Sequence, residues 1–282
     1  MKLLRVGAAG AERPAMLDQE GRLRDLSGHV HDIANGTLSP SGLAALRALD
    51  PSTLPEITNG RRLGPCVGGV GKVVCVGLNY TDHAEEMGLA RPDEPVIFAK
   101  AVTSLAGAED DLVLPPGAEA LDYEVELAIV IGTKARFVSP AAAPAHIAGY
   151  ATFIDYSERT DQIRRGGQWI KGKSHDGFGP LGPWFVTADE VEDPGDLALT
   201  LSVNGQPRQQ GHTGRMIFGV AEIVSYVSRF MTLMPGDVIP TGTPPGVASG
   251  MSPPAWLQPG DEVAAEVHGL GRQTQRIIPA HA

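Results

Sequence analysis

The chain has 282 residues, enough for one large domain or for one domain with a small partner. Its formal net charge of −10 at pH 7 argues against nucleic acid or an anionic membrane surface as a partner. No stretch approaches the roughly 18 uninterrupted apolar residues of a membrane span, and no signal-peptide core develops at the start. The two cysteines, Cys66 and Cys75, form neither a disulfide framework nor a zinc pattern, so we expect a cytoplasmic protein.

The first 70 residues predict a small N-terminal α+β domain. Short apolar runs separated by turns over residues 2–30 predict an antiparallel meander. Ser39-Pro40 is typical of a helix start, with serine as the N-cap and proline at the first helical position. Prolines and the Gly60–Gly71 segment then break the pattern. We therefore place a domain boundary near residue 70, with a catalytic domain over residues 71–282.

Strands outnumber helices beyond residue 70, and they do not alternate with helices as parallel crossover units require. The predicted elements are strands at Lys72–Val76, Leu121–Ile131, Gly149–Ile154 and Val238–Ile239, and a helix over residues 216–233. A phosphate-binding loop at Gly68–Lys72 is excluded because the first glycine and the hydroxyl of that motif are missing. The pattern predicts a β-rich α+β fold.

Two glutamates lie two residues apart in the predicted strand Leu121–Ile131. Because strand side chains alternate between faces, Glu124 and Glu126 point the same way, about 7 Å apart. A solvated edge strand would explain the pair, and a bound cation would explain it as well. Asp155, at the end of another predicted strand, could complete a set of oxygen ligands for a hard dication such as Mg²⁺. No His or Cys joins these three at metal spacing, which disfavours zinc.

A second candidate cluster is Asn79-Tyr80-x-x-His83-x-x-Glu86. A short helix or 3₁₀ turn would place His83 and Glu86 on one face, since residues three apart are neighbours there. A histidine held by a carboxylate can serve as a general base toward water. A surface turn that carries one histidine by chance is the alternative.

Basic residues cluster after Asp155 in this acidic chain. They are Arg159, Arg164, Arg165, Lys171 and Lys173. A solvated basic face would explain them, and so would an anionic small-molecule substrate. In the second case Arg159 and Gln162 supply donors beside the predicted metal, and Lys173 adds positive charge against a developing enolate or a carboxylate. Solvent exposure is the alternative for Arg159 and Lys171.

Five motifs, in order from about residue 70 to the C-terminus, resemble those of the fumarylacetoacetate hydrolase family. They are Val76–Glu86, Asp122–Gly132, Gly172–Ser174, Gly179–Trp184 and Pro235–Val247. The N-terminal portion, Gly166–Trp169 and the Ser-Pro-Pro at 252–254 are also similar to a subgroup of ureidoglycolate lyases and hydrolases of sugar-derived 2,4-diketo-3-deoxy acids. Two departures from common family patterns, Arg159-Thr-Asp-Gln162 and Ser174-His-Asp-Gly177, concern residues near the pocket.

The resemblance implies a β-sandwich roll, a homodimer, and Mg²⁺ or Mn²⁺ held by Glu124, Glu126 and Asp155. It implies that His83 and Glu86 activate water on a segment that can close as a lid. Substrate contacts are expected from one further set of residues, which comprises Tyr80, Arg159, Gln162, Lys173 and Thr243.

The resulting hypothesis is a metal-dependent hydrolase of an acylpyruvate-type 2,4-diketo acid. The favoured substrate is a 3-deoxy-2,4-diketo sugar acid of the L-fuconate or L-rhamnonate type, giving pyruvate and a hydroxy acid. The same site could instead serve a fumarylpyruvate or fumarylacetoacetate hydrolase, an oxaloacetate decarboxylase, a hydroxymuconate isomerase or a ureidoglycolate lyase. A non-catalytic binding protein is the alternative from another class.

Overall fold

The computed structural model describes residues 1–58, 62–86 and 88–280, so Gly60 of the predicted boundary segment lies outside the described residues. The described residues form eighteen strands and four α-helices. The strands are β1 Lys2–Val6, β2 Arg13–Leu17, β3 Leu23–Asp25, β4 Val73–Gly77, β5 Val96–Lys100, β6 Leu105–Ala106, β7 Leu112–Val113, β8 Leu121–Asp122, β9 Val125–Ile131, β10 Ile147–Ile154, β11 Ser157–Glu158, β12 Gly179–Pro180, β13 Phe185–Thr187, β14 Ala198–Val203, β15 Gln206–His212, β16 Val238–Pro240, β17 Glu262–Val267 and β18 Gly271–Ile278. The helices are α1 Pro40–Arg47, α2 Thr81–Glu86, α3 Ile170–Lys173 and α4 Val220–Phe230. The predicted β-rich α+β class is confirmed.

Strand β9 lies inside a nine-stranded sheet of order β3-β2-β1-β13-β10-β9-β16-β4-β5. It pairs antiparallel with β10 on one side and with β16 on the other, and all seven of its residues are buried. A strand covered on both faces needs a continuous apolar run, which this sequence supplies. The solvated edge strand considered for Glu124 and Glu126 is therefore excluded. A second sheet of five strands has the order β15-β14-β17-β18-β7.

The two faces of β9 contribute to two hydrophobic clusters. Leu127, Ile129 and Ile131 belong to a cluster that includes the five-stranded sheet and α4. Ala128 and Val130, on the opposite face, belong to a second cluster that includes apolar residues of α1. By strand alternation, Glu126 shares the face of Ala128 and Val130, so its carboxylate is directed away from the first cluster.

The N-terminal residues form the predicted meander β1–β3, and β1 then pairs antiparallel with β13 of the nine-stranded sheet. Helix α1 begins as predicted, with Pro40 in its first turn and the Ser39 hydroxyl accepting a hydrogen bond from the Gly42 N–H at 3.1 Å. One sheet thus crosses residue 70, and the division of the chain there remains a prediction.

Helix α4 is shorter than the predicted span 216–233. Its start is delayed because the preceding segment bonds to Asn79, whose carbonyl accepts from Ile217 N at 2.7 Å and whose side chain accepts from Phe218 N at 2.8 Å. Its N-terminus is closed by Glu222, which accepts from Gly219 N at 2.9 Å. Among the described residues, no helix has the length and apolar character needed to cross a membrane.

Candidate active site

A cavity of about 160 Å³ opens where β4, β5 and β9 meet the segments at residues 159–173 and 242–249. Most of the polar residues predicted for the site line it. These are His83, Glu124, Glu126, Arg159, Gln162, Lys173 and Thr243. The structure therefore brings together residues that are up to 160 positions apart in the chain.

Three carboxylates converge at this site: Glu124 and Glu126 line the cavity, and Asp155 is fully buried beside them. Glu124, Glu126 and Asp155 are buried, and each offers an oxygen within 4.8 Å of the other two. The register of β9 and β10 explains the convergence, because Phe153 pairs with Glu126 and the Asp155 N–H donates to the Glu124 carbonyl at 2.8 Å. Asp155, the first residue after β10, is thereby placed beside the start of β9.

Two buried lysines contact these carboxylates. Lys173 Nζ donates to Glu124 at 2.6 Å and to Asp155 at 2.8 Å. Lys100 Nζ, at the end of β5, donates to the other Asp155 oxygen at 2.6 Å. Lys100 is not among the predicted site residues, and its only signal in the sequence is that it closes the apolar run Val96–Ala99.

Arg159 is held in place by three side chains. Its guanidinium donates to Glu124 at 2.5 Å, to Asp122 at 2.9 Å and to the Gln162 carbonyl oxygen at 2.9 Å. Asp122, for which no role was predicted, also accepts from the Ala248 N–H at 2.7 Å. Arg159 is thus largely buried and not part of a solvated face, whereas Lys171 is exposed.

The charges around the three carboxylates are unequal. Burial raises the pKa of Glu124, but Arg159 and Lys173 outweigh that effect and hold it below its usual value. Burial, Asp155 and Glu124 together raise the pKa of Glu126 well above its usual value. Glu126 accepts a hydrogen bond from Gly242 N at 2.8 Å, and no Lys, Arg or His of the described residues forms an ion pair with it.

This donor set fits a hard divalent cation. All three candidate ligands offer carboxylate oxygen, which Mg²⁺ and Mn²⁺ prefer, and neither Cys66 nor Cys75 joins the cluster. A cation beside Glu126 would also supply the positive charge that the protein side chains do not.

His83 lies on the short helix α2, as predicted. Its Nδ1 lies 3.0 Å from a Glu86 oxygen, and the other Glu86 oxygen accepts from Gly246 N at 2.9 Å. Because the carboxylate favours a proton on Nδ1, Nε2 is the basic ring nitrogen. The side chain is only 6% exposed, which excludes a histidine on a surface turn.

The structure separates Tyr80 from Thr243. Thr243 lines the cavity, and its hydroxyl donates to the Val125 carbonyl at 2.9 Å and accepts from Gln209 at 2.8 Å. Tyr80 does not line the cavity, because its side chain is fully buried in the first hydrophobic cluster. The sequence placed Tyr80 correctly before α2 but gave no information on the direction of its side chain.

Comparison with known proteins identifies the family of this chain. Residues 72–278 match the family described as fumarylacetoacetate (FAA) hydrolase, C-terminal. A Burkholderia cenocepacia protein, named only as a hydrolase with no substrate, is 53% identical over 281 residues, which are 99% of this chain and 100% of the relative.

Two solved structures are similar over almost their entire length. A fumarylacetoacetate hydrolase from Exiguobacterium antarcticum has a TM-score of 0.85 and 36% identity, covering 99% of each chain. A 5-carboxymethyl-2-hydroxymuconate delta-isomerase from Mycobacterium smegmatis has a TM-score of 0.77 and 33% identity, covering 100% of each chain. The family match and these identities show that the chain belongs to the fumarylacetoacetate hydrolase family.

Proposed function

We propose that this protein is a hydrolase, dependent on a divalent metal, that cleaves a carbon–carbon bond of an acylpyruvate-type 2,4-diketo acid and releases pyruvate. The observation that carries the proposal is the placement of one basic histidine, one buried lysine and two carboxylates around a single cavity, with the third carboxylate, Asp155, within 4.8 Å of both. We further propose that the protein acts as a homodimer, as the family resemblance implies.

Glu124, Glu126 and Asp155 would hold the ion, Mg²⁺ or Mn²⁺, which supplies Lewis-acid polarisation of a substrate oxygen when bound. His83 takes a proton from water at Nε2, because Nδ1 is committed to Glu86. The Glu86 carboxylate then stabilises the imidazolium, and the Gly246 N–H keeps that carboxylate in place.

The activated water adds to the C4 carbonyl of the diketo acid. The C3–C4 bond breaks, its electron pair passes to the enolate of pyruvate, and the acyl group leaves as a carboxylic acid. Lys173, which is buried beside Glu124 and Asp155, stabilises the negative charge of the enolate. The enolate takes up a proton at C3 to give pyruvate.

A His83→Ala variant tests this proposal. We expect its rate of pyruvate release from an acylpyruvate, with Mg²⁺ present, to fall by about 10²–10⁴-fold, since a general base contributes that much. Calorimetry should show that the variant still binds Mn²⁺, because the candidate metal ligands are the three carboxylates and not His83. Undiminished pyruvate release by the variant would contradict the assigned role.

The same site could support other reactions, and product analysis separates them. Hydrolysis gives pyruvate and an acid, decarboxylation of oxaloacetate gives carbon dioxide, and isomerisation of a hydroxymuconate leaves the mass unchanged. Ureidoglycolate cleavage would instead release urea. A sugar-derived acid of the L-fuconate or L-rhamnonate type, favoured by the subgroup resemblance, is one member of the proposed class. No turnover of any compound in such a panel would favour a non-catalytic binding protein.

A further inference from the structure

One side of the cavity is apolar. Leu89, Phe98, Ile163 and Trp169 line it together with the carboxylates, and we refer to these four residues as the apolar wall. Phe98 belongs to β5, Ile163 to the helical turn Thr160–Arg164, and Trp169 immediately precedes α3. The wall is therefore assembled from three separate segments beside Leu89.

The inner part of the wall is closely packed. The Phe98 and Trp169 rings meet edge to face, with centroids 5.3 Å apart. A Cβ atom at Gly77 would lie 2.7 Å from the Trp169 ring, so glycine at that position permits the ring to approach the backbone of β4. The position of Trp169 thus depends on the glycine at residue 77 in β4.

The outer part of the wall exposes apolar area at the cavity mouth. Leu89 is 49% exposed and Ile163 is 62% exposed, although both have large aliphatic side chains. Exposed apolar area that borders a ligand cavity is typical of a surface that the ligand covers. A ligand that reached from the carboxylates to the mouth would bury part of both side chains.

The two cations of the cavity are already paired with carboxylates, although Lys173 Nζ also lies 5.2 Å from the centroid of the Phe98 ring. The Arg159 guanidinium already contacts Asp122, Glu124 and Gln162, and Lys173 contacts Glu124 and Asp155. No other lysine or arginine of the described residues lines the cavity. The side chains of the wall offer one donor, the indole N–H of Trp169, and no cation.

We propose that the acyl group of the substrate is apolar and uncharged and lies against the apolar wall; this inference rests on the proposed hydrolase function. A hydroxyl on the acyl group would be removed from water with few partners, and a second carboxylate would find Arg159 and Lys173 already paired with carboxylates of the protein. The sugar-derived acids favoured by the subgroup resemblance carry such a hydroxyl, so the cavity lining favours a different branch of the same substrate class.

Two pairs of substrates test the proposal with wild-type enzyme and Mg²⁺. Propanoylpyruvate and lactoylpyruvate differ in one hydroxyl, and butanoylpyruvate and succinylpyruvate differ in a terminal carboxylate. We expect kcat/KM for pyruvate release to be about tenfold higher for propanoylpyruvate than for lactoylpyruvate. We expect kcat/KM for butanoylpyruvate to exceed that for succinylpyruvate by a factor on the order of 100, because an unpaired charge is more costly to desolvate than a hydroxyl.

The outcomes separate the two proposals. Pyruvate release from lactoylpyruvate or succinylpyruvate with kcat/KM equal to or above that of its apolar counterpart would overturn the apolar acyl group and support the hydrolase. Absence of pyruvate from all four compounds would overturn the hydrolase itself, and the inference with it.

A matched pair of variants tests the wall directly. Ile163→Ser should lower kcat/KM for butanoylpyruvate by about five- to tenfold and leave acetylpyruvate, which has only a methyl group there, nearly unchanged. Ile170→Ser is the control, because Ile170 is 43% exposed on the adjacent helix and does not line the cavity. The assignment would be overturned if Ile163→Ser lowered kcat/KM equally for butanoylpyruvate and acetylpyruvate. It would also be overturned if Ile170→Ser lowered kcat/KM for butanoylpyruvate as much as Ile163→Ser does.

Discussion

Glu126 differs from the other two carboxylates of the site in its contacts. Glu124 contacts Arg159 and Lys173, and Asp155 contacts Lys100 and Lys173. Glu126 is 2% exposed, and its carboxylate accepts one hydrogen bond, from a backbone N–H. Ionising a buried carboxyl group with so little compensation costs free energy, which is why the pKa of Glu126 is raised, and a bound cation would relieve this cost.

We therefore expect Glu126→Gln to separate metal binding from folding. Without added metal, the variant should melt at the same temperature as wild type or higher, because glutamine keeps nearly the same volume and needs no compensating positive charge. Mg²⁺ at about 100 times its Kd should raise the melting temperature of wild type by roughly 5 °C or more, and that of the variant much less.

Glu262→Gln, an exposed glutamate of the five-stranded sheet, is the control and should respond to Mg²⁺ as wild type does. Differential scanning calorimetry with and without the metal measures both effects. A full metal-induced shift in Glu126→Gln would show that this carboxylate is not a ligand.

Single residues of the site were predictable where local spacing fixes them. The alternation of Glu124 and Glu126 and the helical spacing of His83 and Glu86 are visible in the sequence, and the structure places all four side chains at one site. Lys100 was not predictable, because its contact with Asp155 joins residues 55 positions apart. Such a contact depends on how strands are ordered, which local patterns do not contain.

At the scale of elements, the predicted strand Leu121–Ile131 is two strands. Residues Leu121–Asp122 pair with β11 and Val125–Ile131 pair with β10, and both ladders keep one register, since Asp122 pairs with Ser157 and Val125 with Ile154. Because the register and the alternating pattern continue through Tyr123 and Glu124, the sequence predicted one element. The Asp155 N–H donates to the Glu124 carbonyl between the two ladders, which places Asp155 beside the two glutamates.

Strand β15 supports the site from the second sheet. Its register against β14 shifts between Gln209 and Pro207, so Arg208 is an extra residue and Gln209 points inward. The buried Gln209 amide accepts from the Val125 N–H at 2.9 Å and donates to Thr243 Oγ1 and the Pro244 carbonyl, both at 2.8 Å. One side chain thus joins the backbone between the two glutamates to the loop across the cavity.

Gln209→Met should therefore weaken both the fold and the site. It removes three hydrogen bonds and leaves the buried Val125 N–H without a partner, for a loss of about 2–3 kcal/mol of unfolding free energy. Gln210→Met is the control, because Gln210 is the exposed neighbour on the same strand. Urea denaturation measures the loss, and equal midpoints for the two variants would contradict the bridging role.

At the scale of the whole molecule, the fold class was predictable and the strand order was not. Frequent strands without alternating helices indicate a β-rich α+β protein, and the structure confirms this. The order places β16 between β9 and β4, and Lys72 pairs with Asp237, 165 residues later. Pairings across such distances are selected by packing of the complete core, so a pattern within each strand cannot specify them.

The N-terminal 70 residues give a test at the same scale. The family match covers residues 72–278, and the division of the chain near residue 70 remains a prediction. The contacts nevertheless continue across it: Leu3 pairs with Phe185, and Leu43 and Leu46 share a hydrophobic cluster with Val130. Without residues 1–70, β13 would become an edge strand, and apolar residues of β9 and β13 would lose their cover.

We expect residues 71–282, expressed alone, to aggregate or to melt at least about 10 °C below the full chain, since uncovering several core side chains costs several kcal/mol. Co-expression with residues 1–70 should restore solubility, because the lost contacts are non-covalent pairings of β1 with β13 and packing of α1. If residues 71–282 alone had the melting temperature of the full chain, packing against the N-terminal residues would not stabilise the second hydrophobic cluster, and residues 71–282 would be an independently stable domain.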